Sequence, residues 1–456
     1  MTTVDVAVVG AGLVGSAVAR VLAGYRLDVA LLDARADVGD GTSKANTAVL
    51  HTGFDAKPGT LEARLVARGH RLLADYAART GIPRERVGAV VVAWDEEQQR
   101  ALPRLQEVAE RNGCADTRVV GRDELVRLVP GLGEGALAGL SVPGESITCT
   151  WTVNLALATE AVRRGVRLLR EHRVDAVTRG DAVTTLHTGR GDVSARWVVN
   201  AAGLGADLLD GLFGHDRFQL HPRRGELVVL DKCARSLVDR IVLPVPSEVS
   251  KGVLVTPTVH GNVLIGPTAE DGTDRTDTAT TAAGLDRVLR EAVRTVPALR
   301  GAEVTATYAG LRPASDVPDY TVEVDAHQRY AVAGGIRSTG LTSCMAVAEH
   351  LVGLLAEAGL PLTERESLPD PPAMPNLGSP KPCEDADRIA RDPEYGDVVC
   401  FCERVTRGEI RDALASTVPP RSPGGLRRRT RAMSGRCQGA SCGAEVLAMF
   451  DTARNR

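Results

Sequence analysis

Val4-Asp5-Val6-Ala7-Val8-Val9-Gly10-Ala11-Gly12-Leu13-Val14-Gly15 is the stretch whose reading decides the fold. A short valine-rich run enters three glycines spaced G-x-G-x-x-G, a helical pattern follows to Leu22, and a second strand over 28–32 stops at Asp33. Gly10 permits the tight turn, Gly12 lets the backbone approach a pyrophosphate, and Gly15 allows helix to pack closely on strand. The helix then presents its first amides to the phosphates. Asp33 is placed to accept hydrogen bonds from both ribose hydroxyls, which favours an unphosphorylated adenosine. The stretch predicts a bound dinucleotide and by itself leaves FAD and NAD open.

With 456 residues the chain has length for two or three domains, at roughly 150 residues each. Its 47 glycines and 3% aromatics suit βα turns and a cofactor cleft, not an aromatic nucleic-acid platform. A formal charge of -3 gives no reason to expect a nucleic-acid or membrane-surface partner. The first strand starts almost at once, leaving no room for a signal peptide, and no apolar run reaches the ~18 residues of a membrane span. The expected location is the cytosol, with any attachment to a membrane made through a partner. Nine cysteines there point to a metal or redox centre, not to a disulfide framework.

After Asp33, residues 39–53 are small and polar and read as a loop with a short strand. Helices are expected over 62–79, 95–112, 153–164, 284–296 and 341–358 from apolar spacing and terminal signals. Residues 139–148 read as turns. A buried strand over 197–201 runs into Ala202-Gly203, the form needed where a chain passes close under a cofactor. Strands over 225–231, 240–244, 253–256 and 262–266 read as an antiparallel sheet. Strands over 303–310, 319–324 and 330–334 follow. The turn Gly334-Gly335-Ile336-Arg337-Ser338-Thr339-Gly340 then opens the helix at Leu341. Strand, glycine turn and helix recur at this far end, so the first and last parts of the body are expected to share a sheet. Residues 361–382, with seven prolines, read as an extended linker to a short C-terminal module.

That module carries Cys400-Phe401-Cys402 and Cys437-Gln438-Gly439-Ala440-Ser441-Cys442. Two close pairs of thiolates can surround a metal centre, and the intervening glycine lets both sulfurs of the second pair face inward. Zinc suits four thiolates as well. The dinucleotide domain upstream favours a [2Fe-2S] cluster, because a one-electron acceptor beside a two-electron cofactor makes a usable chain. Cys114, Cys149, Cys233, Cys344 and Cys383 are isolated and read as packing residues. The basic run 427–431 reads as a solvated face, with docking of an acidic electron-transfer partner as the other reading.

The opening fingerprint, the loop Gly41-Thr42-Ser43-Lys44-Ala45-Asn46-Thr47-Ala48-Val49-Leu50-His51-Thr52-Gly53, the segment Val198-Val199-Asn200-Ala201-Ala202-Gly203, Tyr308-Ala309-Gly310-Leu311-Arg312-Pro313 and Gly335-Ile336-Arg337-Ser338 resemble the FAD-dependent glycerol-3-phosphate dehydrogenases of the D-amino-acid-oxidase superfamily. The cysteine module, with Arg428-Arg429-Thr430-Arg431 before Gly435-Arg436-Cys437, is similar to the bacterioferritin-associated-ferredoxin-like [2Fe-2S] domain that ends the anaerobic large subunit. Residues 51–61 and Pro222-Arg223-Arg224-Gly225-Glu226 look more like the L-2-hydroxyglutarate dehydrogenases, and Lys44-Ala45-Asn46 stands where the glycerol-phosphate enzymes carry an Arg-Asn-His run.

The resemblance implies an α/β fold: a Rossmann-like FAD-binding domain (1–86, 140–215, 303–360), an inserted antiparallel-sheet substrate domain (87–139, 216–302), a linker (361–397) and a four-cysteine iron-sulfur module (398–456). It implies FAD contacts at Gly10, Gly12, Gly15, Asp33, Thr42, Ser43, Asn46, Ala202, Gly203, Gly335, Gly340, Leu341 and Thr342, and cluster ligands Cys400, Cys402, Cys437 and Cys442. His51 is the candidate base, because an imidazole titrates near working pH and its loop is expected at the flavin. Arg312 and Arg337, with Arg224 as a third candidate, have the guanidinium fork that holds an anionic substrate end. The expected reaction is oxidation of sn-glycerol 3-phosphate, with electrons leaving through the cluster to a partner subunit or quinone. The rivals are an L-2-hydroxyglutarate enzyme and a non-catalytic electron-transfer or zinc-stabilised scaffold.

Overall fold

The structure, a computed structural model, describes residues 3–246 and 252–455. The valine run forms the strand Thr3–Val9, and the helix Leu13–Leu22 starts directly after Gly12. Thr3–Val9 pairs in parallel with Val29–Asp33 on one side and Val193–Asn200 on the other. Arg167–Arg170 extends the sheet beyond Val29–Asp33, and Tyr330–Gly334 joins it by pairing in parallel with Val193–Asn200. The far end of the body therefore shares a sheet with its start. Helices Leu13–Leu22, Thr150–Arg163 and Gly340–Glu357 cover one face, and the largest apolar cluster lies between them and the sheet. On the other face a separate apolar cluster takes in Val4, Ala7 and Val9, and burial on both sides explains why the central strand reads as a continuous apolar run.

The second sheet runs in the order Glu270–Asp271, Leu220–Leu230, Val263–Gly266, Leu254–Pro257, Ile241–Pro244, Ala89–Ala93, Ala138–Val142, Arg118–Gly121. It is antiparallel except where Ile241–Pro244 meets Ala89–Ala93 in parallel. Two expectations are corrected here. Ala138–Val142 is a strand paired on both sides, not a turn; its small Gly139 lets it approach closely, since a Cβ there would sit 2.9 Å from Val91 O. Residues 304–315 belong to this sheet and not to the dinucleotide domain, because Val304–Ser315 pairs with Leu220–Leu230 from Leu230↔Val304 to Leu220↔Ser315. Apolar alternation marked a strand there but carried no information about its partner.

The proline-rich segment is no free spacer. Its backbone is tied to the body, with Arg26 N donating to Thr363 O at 2.7 Å, Arg365 N to Gly24 O at 3.0 Å and Met374 N to Thr80 O at 2.8 Å. Leu377 is buried in the substrate-side core, and a helix forms over Ala386–Arg391. The basic run is likewise not a solvated face. Arg429 lies 4% exposed in the helix Pro423–Thr430 and grips Asp37 through both carboxylate oxygens, at 2.6 and 2.8 Å. Arg428 reaches Asp40 at 3.0 Å. Arg431 and Lys232 share Glu403, at 2.8 and 3.1 Å, and Arg431 also reaches Asn262 at 3.2 Å. These charges lock the C-terminal module onto both halves of the body. Charge patterning suggested a wet face because it cannot see a carboxylate 392 positions away.

Candidate active site and cofactor cradle

Gly10 adopts φ +109, and a Cβ there would meet Ala201 O at 2.3 Å; at Gly15 it would meet Gly10 O at 1.8 Å. Gly10 and Gly15 thus admit no side chain, and the turn presses against Ala201 and Ala202. Asp33 ends its strand with Oδ2 accepting from Ala11 N at 2.7 Å and Oδ1 from Arg35 N at 2.8 Å. Burial pushes its carboxyl up, and these amides work against that rise. Each oxygen keeps a lone pair for a ribose hydroxyl. Asn154, which the sequence reading missed, steadies the turn by donating to Ala11 O at 3.2 Å.

The loop after this cradle spans both sheets. Ser43 Oγ accepts from Leu13 N at 3.1 Å, and Thr42 Oγ1 donates to Leu311 O at 2.9 Å. Asn46 donates to Ser43 O and Thr150 Oγ1, each at 3.0 Å, and Tyr308 OH donates to Asn46 O at 3.1 Å. Gly310 allows this crossing, since a Cβ would sit 2.6 Å from Ala45 O. Two residues on from Gly310 stands Arg312.

His51 follows the short strand Val49–Leu50, which pairs Val49↔Ile147 and Leu50↔Ser146. Continuing that register sets His51 opposite Glu145, and Nδ1 lies 3.1 Å from Glu145 Oε2. The backbone is held too: His51 N donates to Thr342 Oγ1 at 3.0 Å, and His51 O accepts from His70 Nδ1 at 3.1 Å. Thr342 lies in the first turn of Gly340–Glu357, a helix that begins at Thr339 with no side-chain cap. Its first amides are therefore open to an anion or an electron-rich ring. Glu145 also accepts from Thr52 N at 2.6 Å and Thr52 Oγ1 at 2.8 Å. Burial pushes its carboxyl up, but the His51 ring and the Thr52 donors outweigh this and hold it below the usual range. Pro143-Gly144-Glu145-Ser146 reads as a solvated turn, so only the strand register could have exposed this pair.

The arginines divide. Arg224 is neutralised by Asp277 at 2.8 Å and Glu270 at 3.1 Å, and Arg223 by Asp271 at 2.6 Å. Arg312 donates to Thr268 O and Arg223 O, and Arg337 to Pro318 O and Val317 O. Among the described residues neither has a carboxylate within ion-pair distance. Burial first, then Arg223, pushes Arg312 down to about 10, still charged near neutral pH. Loop residues 42–53 join these groups: one end touches the Arg312 strand and the other carries His51.

In the module, the four thiols lie close enough to influence one another, Cys402 beside Cys437 and Cys400 beside Cys442. Amides of Ser441 and Gly439 stabilise the Cys437 thiolate and bring it down to about 7, while burial pushes Cys442 up to about 11. Among the described residues no group of three or more His, Cys, Asp or Glu side chains forms a ready metal cage. Four neighbouring thiols fit the thiolate set that a two-iron cluster needs. The glycine cradle, Asp33 and the uncapped helix fit a flavin dinucleotide. No helix among the described residues is long and apolar enough to cross a membrane.

Residues 5–354 match the FAD dependent oxidoreductase family, and residues 398–452 match the BFD-like [2Fe-2S] binding domain. A glycerol 3-phosphate dehydrogenase of Caloramator mitchellensis is 35% identical over 446 residues, covering 97% of this chain and 93% of its own. A mitochondrial L-2-hydroxyglutarate dehydrogenase of Arabidopsis thaliana is 29% identical over 402 residues, covering 76% of this chain and 82% of its own. Among solved structures, the dithionite-reduced L-alpha-glycerophosphate oxidase of Mycoplasma pneumoniae with FAD bound superposes at TM-score 0.77 with 28% identity, covering 83% of this chain and 100% of the other. An enzyme, not a scaffold, is what these likenesses describe, and the chain belongs to the FAD dependent oxidoreductases, in their glycerol-3-phosphate dehydrogenase type.

Proposed function

We propose that the protein oxidises the secondary hydroxyl of sn-glycerol 3-phosphate to give dihydroxyacetone phosphate, and that the electrons leave through the [2Fe-2S] module to a partner subunit or quinone. The observation that carries this reading is Arg312, a covered guanidinium without a carboxylate partner among the described residues, on the strand that touches the cofactor loop. It suits one phosphate, with Arg337 as a second donor. Arg223 and Arg224 already hold carboxylates, which argues against a second anionic anchor of the kind a dicarboxylate needs. His51 accepts the hydroxyl proton. A bound flavin would supply the hydride acceptor, held by Gly10, Gly12, Gly15, Asp33, Thr42, Ser43, Asn46, Ala202, Gly203, Gly335, Gly340, Leu341 and Thr342. Cys400, Cys402, Cys437 and Cys442 would hold the cluster. The cytosol, with membrane contact only through the acceptor, is the proposed location.

Anaerobic mixing of the oxidised holoenzyme with glycerol 3-phosphate and, separately, with L-2-hydroxyglutarate tests the substrate. Bleaching of the flavin band by the first alone is expected; bleaching by the second alone transfers the reaction to the hydroxy acid. Iron and acid-labile sulfide in equal amounts are expected in the same preparation, and zinc without sulfide would remove the cluster from the scheme.

A further inference from the structure

Glu145 has no role in the reaction as described, yet it is 1% exposed. A carboxylate covered this deeply needs strong partners. Among the described residues no Lys or Arg reaches it, and its partners are the His51 ring and the two Thr52 donors. Its turn is drawn tightly onto the His51 loop: a Cβ at Gly144 would stand 2.7 Å from Thr52 Cγ2.

We infer that Glu145 is a positioning residue for His51, fixing the imidazole with its proton on Nδ1 so that Nε2 carries the lone pair that takes the substrate proton. This rests on the reading of His51 as the base. With Oε1 engaged by Thr52, Oε2 has one geometry in which to receive Nδ1–H, and the ring cannot turn without breaking that bond. In the reaction the substrate O–H bond breaks and its proton goes to Nε2. The carbinol hydrogen would leave with its electron pair, a bound flavin supplying the hydride acceptor, and the carbonyl would form. The imidazolium left behind faces the Glu145 carboxylate, which stabilises it without taking the proton. His70 and Arg84 are the other charged or titratable groups near the pair, with Cys114, Asp55 and Asp116 on the Glu145 side. Burial keeps His70 neutral, so it adds a hydrogen bond and no charge.

The test uses the full-length FAD-loaded enzyme labelled with 15N-histidine, with His51 assigned by its loss in His51→Gln. In the wild type at neutral pH the expected His51 signature is a protonated Nδ1 and a bare Nε2; the opposite tautomer overturns the inference. In Glu145→Gln, anaerobic flavin reduction should slow by about 10- to 100-fold, as for loss of other orienting partners. The acid limb of its pH–rate profile should move down by about one unit or more. Glu145→Asp should restore part of both. A Glu145→Gln enzyme with wild-type rate, profile and tautomer overturns the inference. If His51→Gln reduces its flavin at the wild-type rate, the base reading itself fails; if it is inactive while Glu145→Gln is unaffected, only the positioning role fails. Should Glu145→Gln not retain FAD, the wild-type nitrogen spectrum decides.

Discussion

His51 and Arg312 illustrate how far single residues could be read from sequence. Removing His51 as His51→Ala should cost about 100-fold or more in flavin reduction with FAD content unchanged, measured by stopped-flow absorbance. Arg312→Ala should chiefly weaken substrate saturation, because a charge-assisted hydrogen bond is worth about 1.5–3 kcal/mol, or roughly 10- to 100-fold. Arg312→Lys should recover little of this, since an ammonium lacks the planar fork. Both residues could be singled out as candidates in the sequence because their motifs are local. Glu145 could not: its acid sits in an ordinary-looking turn and meets His51 only through the pairing of Ser146–Thr148 with Val49–Leu50. Arg224 was legible as a cation but not as a spent one, since Glu270 and Asp277 reach it from more than forty positions away.

At the scale of elements, the opening strand, turn and helix were readable almost to the residue, because glycine spacing and apolar period agree there. The strands Ala138–Val142 and Val304–Ser315 were misread or misassigned, because pairing partners are set by contacts that no local window contains. The helix Pro423–Thr430 is the most consequential element of this kind. Its Gly425 packs directly on Asp37, where a Cβ would meet Oδ2 at 2.0 Å, and its Arg429 forms the bidentate pair. Asp37→Ala leaves that guanidinium buried without its carboxylate and should cost about 3–5 kcal/mol of docking. Limited proteolysis reads this as new cleavage within residues 361–397, with the FAD body intact.

Over the whole molecule, the contact between module and body should respond to acid through His260. It stacks on Trp151 at 6.0 Å between ring centres, and among the described residues it pairs with no carboxylate. Burial, then Arg431, with Lys381 and Lys232 adding to it, holds its pKa well below the ordinary 6.5. The unfolded chain therefore binds this proton first as pH falls, so the stabilisation is complete above about pH 6.5 and declines below it, by up to about 1.4 kcal/mol per pH unit. Urea midpoints compared at pH 7.5 and 5.5 should fall for the wild type and fall less for His260→Gln.

The pairing of Asp37 with Arg429 also carries a consequence for the order in which the protein is made. The two residues are 392 positions apart, so Arg429 leaves the ribosome long after Asp37 has been synthesised. Until then Asp37 lacks the guanidinium that grips both of its oxygens, and the helix Pro423–Thr430 has no place on the body. Docking of the module through this pair is therefore among the last contacts that synthesis permits, and the body folds its first sheet before the pair can form.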